Sequence, residues 1–365
     1  MASTYKQIKQ NDVASTRTRL HEAIPITGSI VSGTYADNNI KTYAHGMFQS
    51  VYDYPYLSSS ANHLFDLSLG YGRNGAFYSS ITQQQSKKAN IYDQFSQVLV
   101  GYDATGSIRQ FDQDGVFGTG STFADAIVMP ISRLLVKDEI KKESFSLTLG
   151  VSSSYTDAFN QRIVITDSGA LSNYRINSPA GEYGLLYASN TVGTPISGTA
   201  VQAGTSSATP IGLIYYQAGV VVLAPLTLFT ANGGGFTGIL SGTIASWSSG
   251  GDNIGTQLAG ATIDTIMTNF RHRIYDMSFS NTTELNSTIY FCRADHNEFN
   301  YSANPTYLSS SKMVVKNNSS DTPTAYFTTV GLYSADNELL AVAKLSEPLK
   351  KDPTQNYTIR VRLDY

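Results

Sequence analysis

Apolar and polar positions alternate most cleanly in the run that closes the sequence. There Ile359, Val361 and Leu363 interleave with Arg360, Arg362 and Asp364. A period of two marks a strand with one buried and one solvated face. Such a strand needs a neighbour, either in its own sheet or in another subunit. Upstream, Val330 and Leu332 lead into Ser334-Ala335-Asp336-Asn337, a turn by residue type, and residues 339–345 return as a strand. The short apolar runs Leu185-Leu186-Tyr187, Leu213-Ile214-Tyr215-Tyr216 and Val220-Val221-Val222-Leu223 predict buried strands. Residues 127–135, 145–149 and 289–292 are read the same way. Tyr52, Tyr54 and Tyr56 keep a period of two, but Pro55 argues against a central strand.

Two stretches change period. Ile91, Phe95, Val98 and Leu99 stand at i, i+4, i+7 and i+8. They predict a helix capped by Asn90 and closed by Gly101. Ile263, Ile266, Met267 and Phe270 predict a second helix. The expected fold class is mainly β with a few helices, in β-sandwich-like domains built as antiparallel meanders.

Texture divides the chain into four expected segments. Residues 1–45 are polar, carry Arg17 and Arg19, and have no sustained apolar face. They read as an extended arm, either a free tail or a clasp on a neighbouring subunit. Residues 46–168 look compact and mixed. Residues 169–270 form a β segment with Gly/Ser-rich loops at 192–210 and 232–251. Loops of that length are uncommon in compact domains and are usually functional or mobile. Residues 271–365 return to strands as a C-terminal β domain.

Composition sharpens this picture. The 365 residues include only 15% charged side chains, against ~25% in ordinary globular proteins. Polarity comes instead from hydroxyls and amides, and the 24 tyrosines outnumber the 16 phenylalanines. Thr and Tyr fit a pleated, half-buried surface, and Tyr is enriched at protein interfaces. The net charge of −3 offers no footprint for a nucleic acid. No apolar run reaches the ~18 residues of a membrane span. A single cysteine, Cys292, excludes an intrachain disulfide framework.

The search for chemistry returns weak motifs. Gly233-Gly234-Gly235-Phe236-Thr237-Gly238 has dinucleotide-loop spacing, but no amphipathic helix or distant acid follows. Asp112-Gln113-Asp114-Gly115 opens like a calcium loop and lacks the later acids. His21, His45, His63, His272 and His296 show no ligand spacing, so no zinc or other metal site is expected. Asp295-His296-Asn297-Glu298 is the densest polar cluster and reads as a hydrogen-bonded loop. Neither a cofactor nor a catalytic residue is expected. Paired carboxylates that meet only in the fold stay open from sequence.

Several segments carry a resemblance. They include Thr282-Thr283-Glu284-Leu285-Asn286-Ser287-Thr288-Ile289-Tyr290-Phe291-Cys292-Arg293-Ala294 and Glu298-Phe299-Asn300-Tyr301-Ser302-Ala303-Asn304-Pro305-Thr306-Tyr307. Thr328-Thr329-Val330-Gly331-Leu332-Tyr333 and Leu339-Leu340-Ala341-Val342-Ala343-Lys344-Leu345-Ser346 belong with them. Together they resemble virion structural proteins of contractile-tailed phages, in particular marine and cyanobacterial myophages. Wording like that of the last two segments occurs in tail-fibre attachment domains, where a hairpin carries it. The resemblance implies a structural protein made in the host cytoplasm and built into the virion, as a tail or baseplate adaptor. Its implied partners are other virion proteins and copies of itself, with a host glycan as a further candidate. A neck or head-decoration protein is the runner-up, followed by a glycan-binding module and an envelope-degrading enzyme. The candidate interface residues are Tyr5, Arg17 and Arg19 in the arm, with Tyr301, Tyr307, Arg360, Arg362 and Tyr365 near the C-terminus. For each Tyr, ordinary sheet packing is the competing reading.

Overall fold

The computed structural model describes residues 5–27, 38–73, 75, 78, 82–150, 162–190, 210–230, 258–301, 308–309, 312–313, 320 and 322–365. The glycine-rich stretch at 232–251, most of the loop at 192–210 and Tyr307 lie outside the described residues. The chain is mainly β with a few helices, as the pattern predicts. It divides into two compact units, not four: Leu20–Thr283, called here the central unit, and Met1–Arg19 with Glu284–Tyr365, the terminal unit.

The central unit is built on one antiparallel sheet. Numbered in chain order, its strands run from β15 (Ile274–Ala294) through β9 (Ser146–Gly150), β10 (Arg162–Thr166) and β12 (Gly181–Asn190). They continue through β13 (Gly212–Tyr215), β14 (Val220–Leu223) and β7 (Asp125–Pro130). The far edge is β4 (His63–Tyr71), β3 (Gln49–Tyr52) and β2 (Ile40–Thr42). Two short strands flank this path: β8 (Glu139–Ile140) pairs with β15 and β11 (Arg175–Ser178) with β12. Another two, β5 (Phe111–Asp112) and β6 (Thr122–Phe123), pair with each other. The boundary expected at 168/169 falls inside the sheet, between the paired strands β10 and β12.

Strands β13, β14 and β7 read as unbroken apolar runs because both of their faces are covered. Alternate residues feed two clusters. Ile127, Met129, Ile214, Val221 and Leu223 join one. Ala126, Val128, Leu213, Tyr215 and Val222 join the other.

Helix α1 (Gln83–Leu99) lies against β4 so closely that a Cβ on Gly70 would sit 2.6 Å from the Tyr92 nitrogen. Its cap is Thr82, in a reciprocal box with Gln85, and not Asn90 as expected. Asn90 lies mid-helix, where its side-chain oxygen accepts from Arg73 at 2.6 Å. Gly101 does close the helix, at φ +85°. Among the described residues, the short helices α2 (Arg133–Val136), α3 (Ala170–Asn173) and α4 (Pro225–Thr230) follow. The last, α5 (Ile263–Arg271), starts at a Thr262 cap and buries Ile263, Ile266, Met267 and Phe270 completely, as their spacing predicts. Gln49 on β3 donates to Asp264 at 2.7 Å and Thr268 at 2.8 Å, which fixes the helix on the sheet.

The terminal unit is thinner. Here β1 (Val13–Thr27) and β20 (Tyr357–Asp364) both pair with β15. Two long strands, β18 (Ala325–Tyr333) and β19 (Leu339–Lys351), form a separate hairpin. A further two-residue pair joins β16 (Leu308–Ser309) to β17 (Lys312–Met313). Of the segment read as an extended arm, Val13–Thr27 pairs as β1 with β15 and Ile40–Thr42 pairs as β2 with β3. Polar side chains do not prevent this, because an edge strand is held by main-chain hydrogen bonds and not by a buried face.

Candidate interaction surface

The residues singled out from sequence fall mainly in the terminal unit. Strand β20 finds its neighbour within the chain. The register runs from Ser287↔Asp364 to Ala294↔Tyr357. Tyr365 and Asn286 then exchange two backbone bonds, at 2.9 and 3.2 Å. The choice left open by the sequence is thus resolved in favour of the chain's own sheet. Paired residues share a face, so Arg360 and Arg362 lie beside Phe291 and Ile289. Arg362 donates to Asp364 at 2.7 Å and to Ser287 at 3.1 Å. Arg360 is exposed. Tyr365 is 76% exposed, and its hydroxyl stays 3.0 Å from that of Thr288.

The arginines of the former arm are occupied too. Arg17 and Arg19 converge on one carboxylate, Glu284, at 2.9 and 3.0 Å. Asp12 pairs with Arg293 at 2.6 Å. As the β1 number falls the β15 number rises, so the two strands run antiparallel. Lys6 reaches past the strand to Asp295 at 3.1 Å and to Glu298. Its ammonium is held above the usual lysine value, mainly by Glu298, and both acids are held down by Lys6. The 295–298 cluster is therefore a tied loop, with Asn300 donating to the His296 carbonyl at 2.8 Å. Tyr301 beside it is half exposed. Tyr5 is not free: its ring lies 4.4 Å from that of Tyr333 on the hairpin.

Two strand edges have no partner among the described residues. Both β1 and β20 pair with β15 alone. From Val13 to Ala23 every residue of β1 is exposed, on both faces of the strand. Row after row of unpaired N–H and C=O groups is a template for another chain.

Sequence reasoning missed the outer face of the hairpin. Tyr326, Tyr333, Leu339, Leu340 and Val342 are each at least 42% exposed. The one available signal was the pair Leu339-Leu340, which breaks the period and marks the register shift beside Tyr333.

Elsewhere, three titratable groups of the central unit bond to main-chain groups of the chain itself. Asp125 is buried, accepts from Leu226 at 2.7 Å at the start of α4, and is pushed up to about 6 by its burial. The Lys88 ammonium donates to the carbonyls of Leu258 and Ala261, both at 2.6 Å, and burial brings it down to about 8. Asp112 receives three backbone N–H groups of its own loop, from Asp114, Gly115 and Val116. Among the described residues no group of three His, Cys, Asp or Glu side chains is placed to hold a metal ion. No helix among them is long and apolar enough to cross a membrane. Comparison with family models, with curated proteins and with solved structures finds no match.

Proposed function

We propose that this chain is a structural component of a phage virion, an adaptor in a contractile tail or baseplate. In this reading it binds neighbouring tail subunits or fibres through strand edges. One observation carries the reading. Among the described residues of the terminal unit, only Ala294, Ala325, Leu332 and Val361 are buried apolar side chains. A sheet and a long hairpin with so little core are marginal alone in water. They gain stability when other protein surfaces cover them, and an added strand brings main-chain hydrogen bonds as well. The resemblance in residues 282–307 and 328–346 supplies the kind of assembly.

Deletion of residues 358–365 tests the reading. It removes most of β20 and uncovers β15. Tails assembled with the truncated chain as the only copy are expected to lack it by mass spectrometry. Tails of normal composition that contain the truncated chain would overturn the proposal. Density for a labelled chain at the neck or head in a virion reconstruction would move it to the decoration reading.

A further inference from the structure

We infer that the tip of the β18–β19 hairpin is a self-association surface, occupied by the same hairpin of a second copy in antiparallel sense. The pairing stands on the hairpin alone, whatever particle the chain enters.

The distribution of side chains on the ribbon is inverted. Tyr333↔Leu339, Gly331↔Val342 and Thr329↔Lys344 are cross-strand pairs and share one face. The other face carries Val330, Leu332, Ala341 and Ala343. Leu332 is buried there, whereas Tyr333, Leu339 and Val342 stand 42%, 52% and 54% exposed. Tyr333, Leu339 and Val342 thus point outward, whereas on the inward face β19 offers only Ala341 and Ala343 beside Val330 and the buried Leu332. A hairpin packed only against its own chain would have the reverse arrangement. Leu340, the extra residue at the register shift, is 68% exposed, and Tyr5 widens the patch by lying on Tyr333. Contiguous exposed apolar patches mark interaction sites.

Charge selects the occupant. The turn is held by Ser334, whose N–H donates to the Glu338 carbonyl at 2.8 Å, and by Asn337 at φ +66°. It places Asp336 and Glu338 at the tip. Lys344 lies six residues below Glu338 on the outward face, roughly 20 Å away at ~3.3 Å per residue. Among the described residues, none of these three groups forms an ion pair within the chain. A two-fold axis near the Leu332–Ala341 pair, three residues from both Lys344 and Glu338, sets each Lys344 against the partner's Glu338, with Asp336 beside it. The patch is then complementary to itself, as an isologous contact requires. A parallel arrangement stacks like charges instead. Gly331 leaves room on this face for the chain's own Tyr333 ring and Leu339, which come within 3.0 and 3.3 Å of where a Cβ would stand and so form one continuous apolar surface.

The test is sedimentation of the purified full chain over a micromolar concentration range. The wild type is expected to dimerise, and Val342→Arg to stay monomeric with an unchanged circular dichroism spectrum. Should that variant lose its strand signal, Leu340→Ser at the more exposed position decides in its place. Lys344→Glu, and separately Asp336→Lys with Glu338→Lys, are each expected to weaken the dimer about threefold to tenfold. An equimolar mixture of those two proteins should recover wild-type association as a heterodimer. A monomeric or trimeric wild type overturns the inference, as does a mixture that fails to recover.

Discussion

Strands of similar composition meet two fates in this molecule. In the central unit β13, β14 and β7 are covered on both sides, and both apolar clusters lie wholly within it. In the terminal unit β1 is exposed on both faces and β20 buries one apolar side chain, Val361. The terminal unit is held instead by ladders and ion pairs: Glu284 with two arginines, Asp12 with Arg293, Lys6 with two acids. Period-two patterning therefore reports a strand, and does not report whether a second layer covers it within the chain. Where the layer is missing, the pattern describes a face that the chain itself leaves uncovered.

Paired substitutions test this contrast most directly. Phe65→Ala empties a fully buried site on β4 and should cost about 3–5 kcal/mol in guanidinium unfolding. Leu332→Ala in the terminal unit should cost about 2 kcal/mol, the low end for such a truncation, since Leu332 belongs to neither apolar cluster. Equal costs would erase the distinction. Hydrogen exchange reads the same difference without mutation: amides of β18 and β19 should exchange at least about a hundredfold faster than those of β13 and β14. Comparable protection in the isolated chain would break the comparison.

The buried Asp125 of the central unit gives a pH signature opposite in sign to that of the acids Asp295 and Glu298, which Lys6 holds down. Asp125 holds its proton up to about 6 in the folded chain, against 3.8 when unfolded. Between those values the folded state binds more protons, so stability falls as pH rises through the window. Asp125→Asn keeps an acceptor for the Leu226 N–H and loses the slope. It should exceed the wild type by about 3 kcal/mol at pH 7 and match it below pH ~4. Parallel stability profiles for the two proteins would refute this. The smallest effect is expected from Glu284→Gln, at most about 1 kcal/mol and fading with salt, because its arginine partners are 57% and 51% exposed.

Much of the framework was legible. Continuous apolar runs located β13 and β14, the 3.6 period located α5, and Ser334–Asn337 located the hairpin turn. Strand β1 was not legible, because Ser15, Thr16, Arg17, Thr18 and Arg19 are polar on both faces and the strand depends on a distant edge. The start of α1 was misread because Asn90 has the right chemistry for a cap but sits within the helix. At the candidate surface, Arg17 and Arg19 stood out by charge, yet their partner Glu284 lies 265 residues from Arg19. No local pattern carries that pairing. The outward Leu and Tyr of the hairpin were hidden for the reason already given: patterning does not show which face stays uncovered.

The union of β1 with β15 also sets a timetable. Asp12 and Arg293 are 281 residues apart in the chain. At roughly 5–20 residues per second, a ribosome needs about 15–55 s to make the second after the first. The central unit can close in that interval, while β1 waits without its partner. A contact of such long sequence separation forms late and slowly. The unpaired edges and the hairpin therefore mature last, and prematurely terminated polypeptides never acquire them.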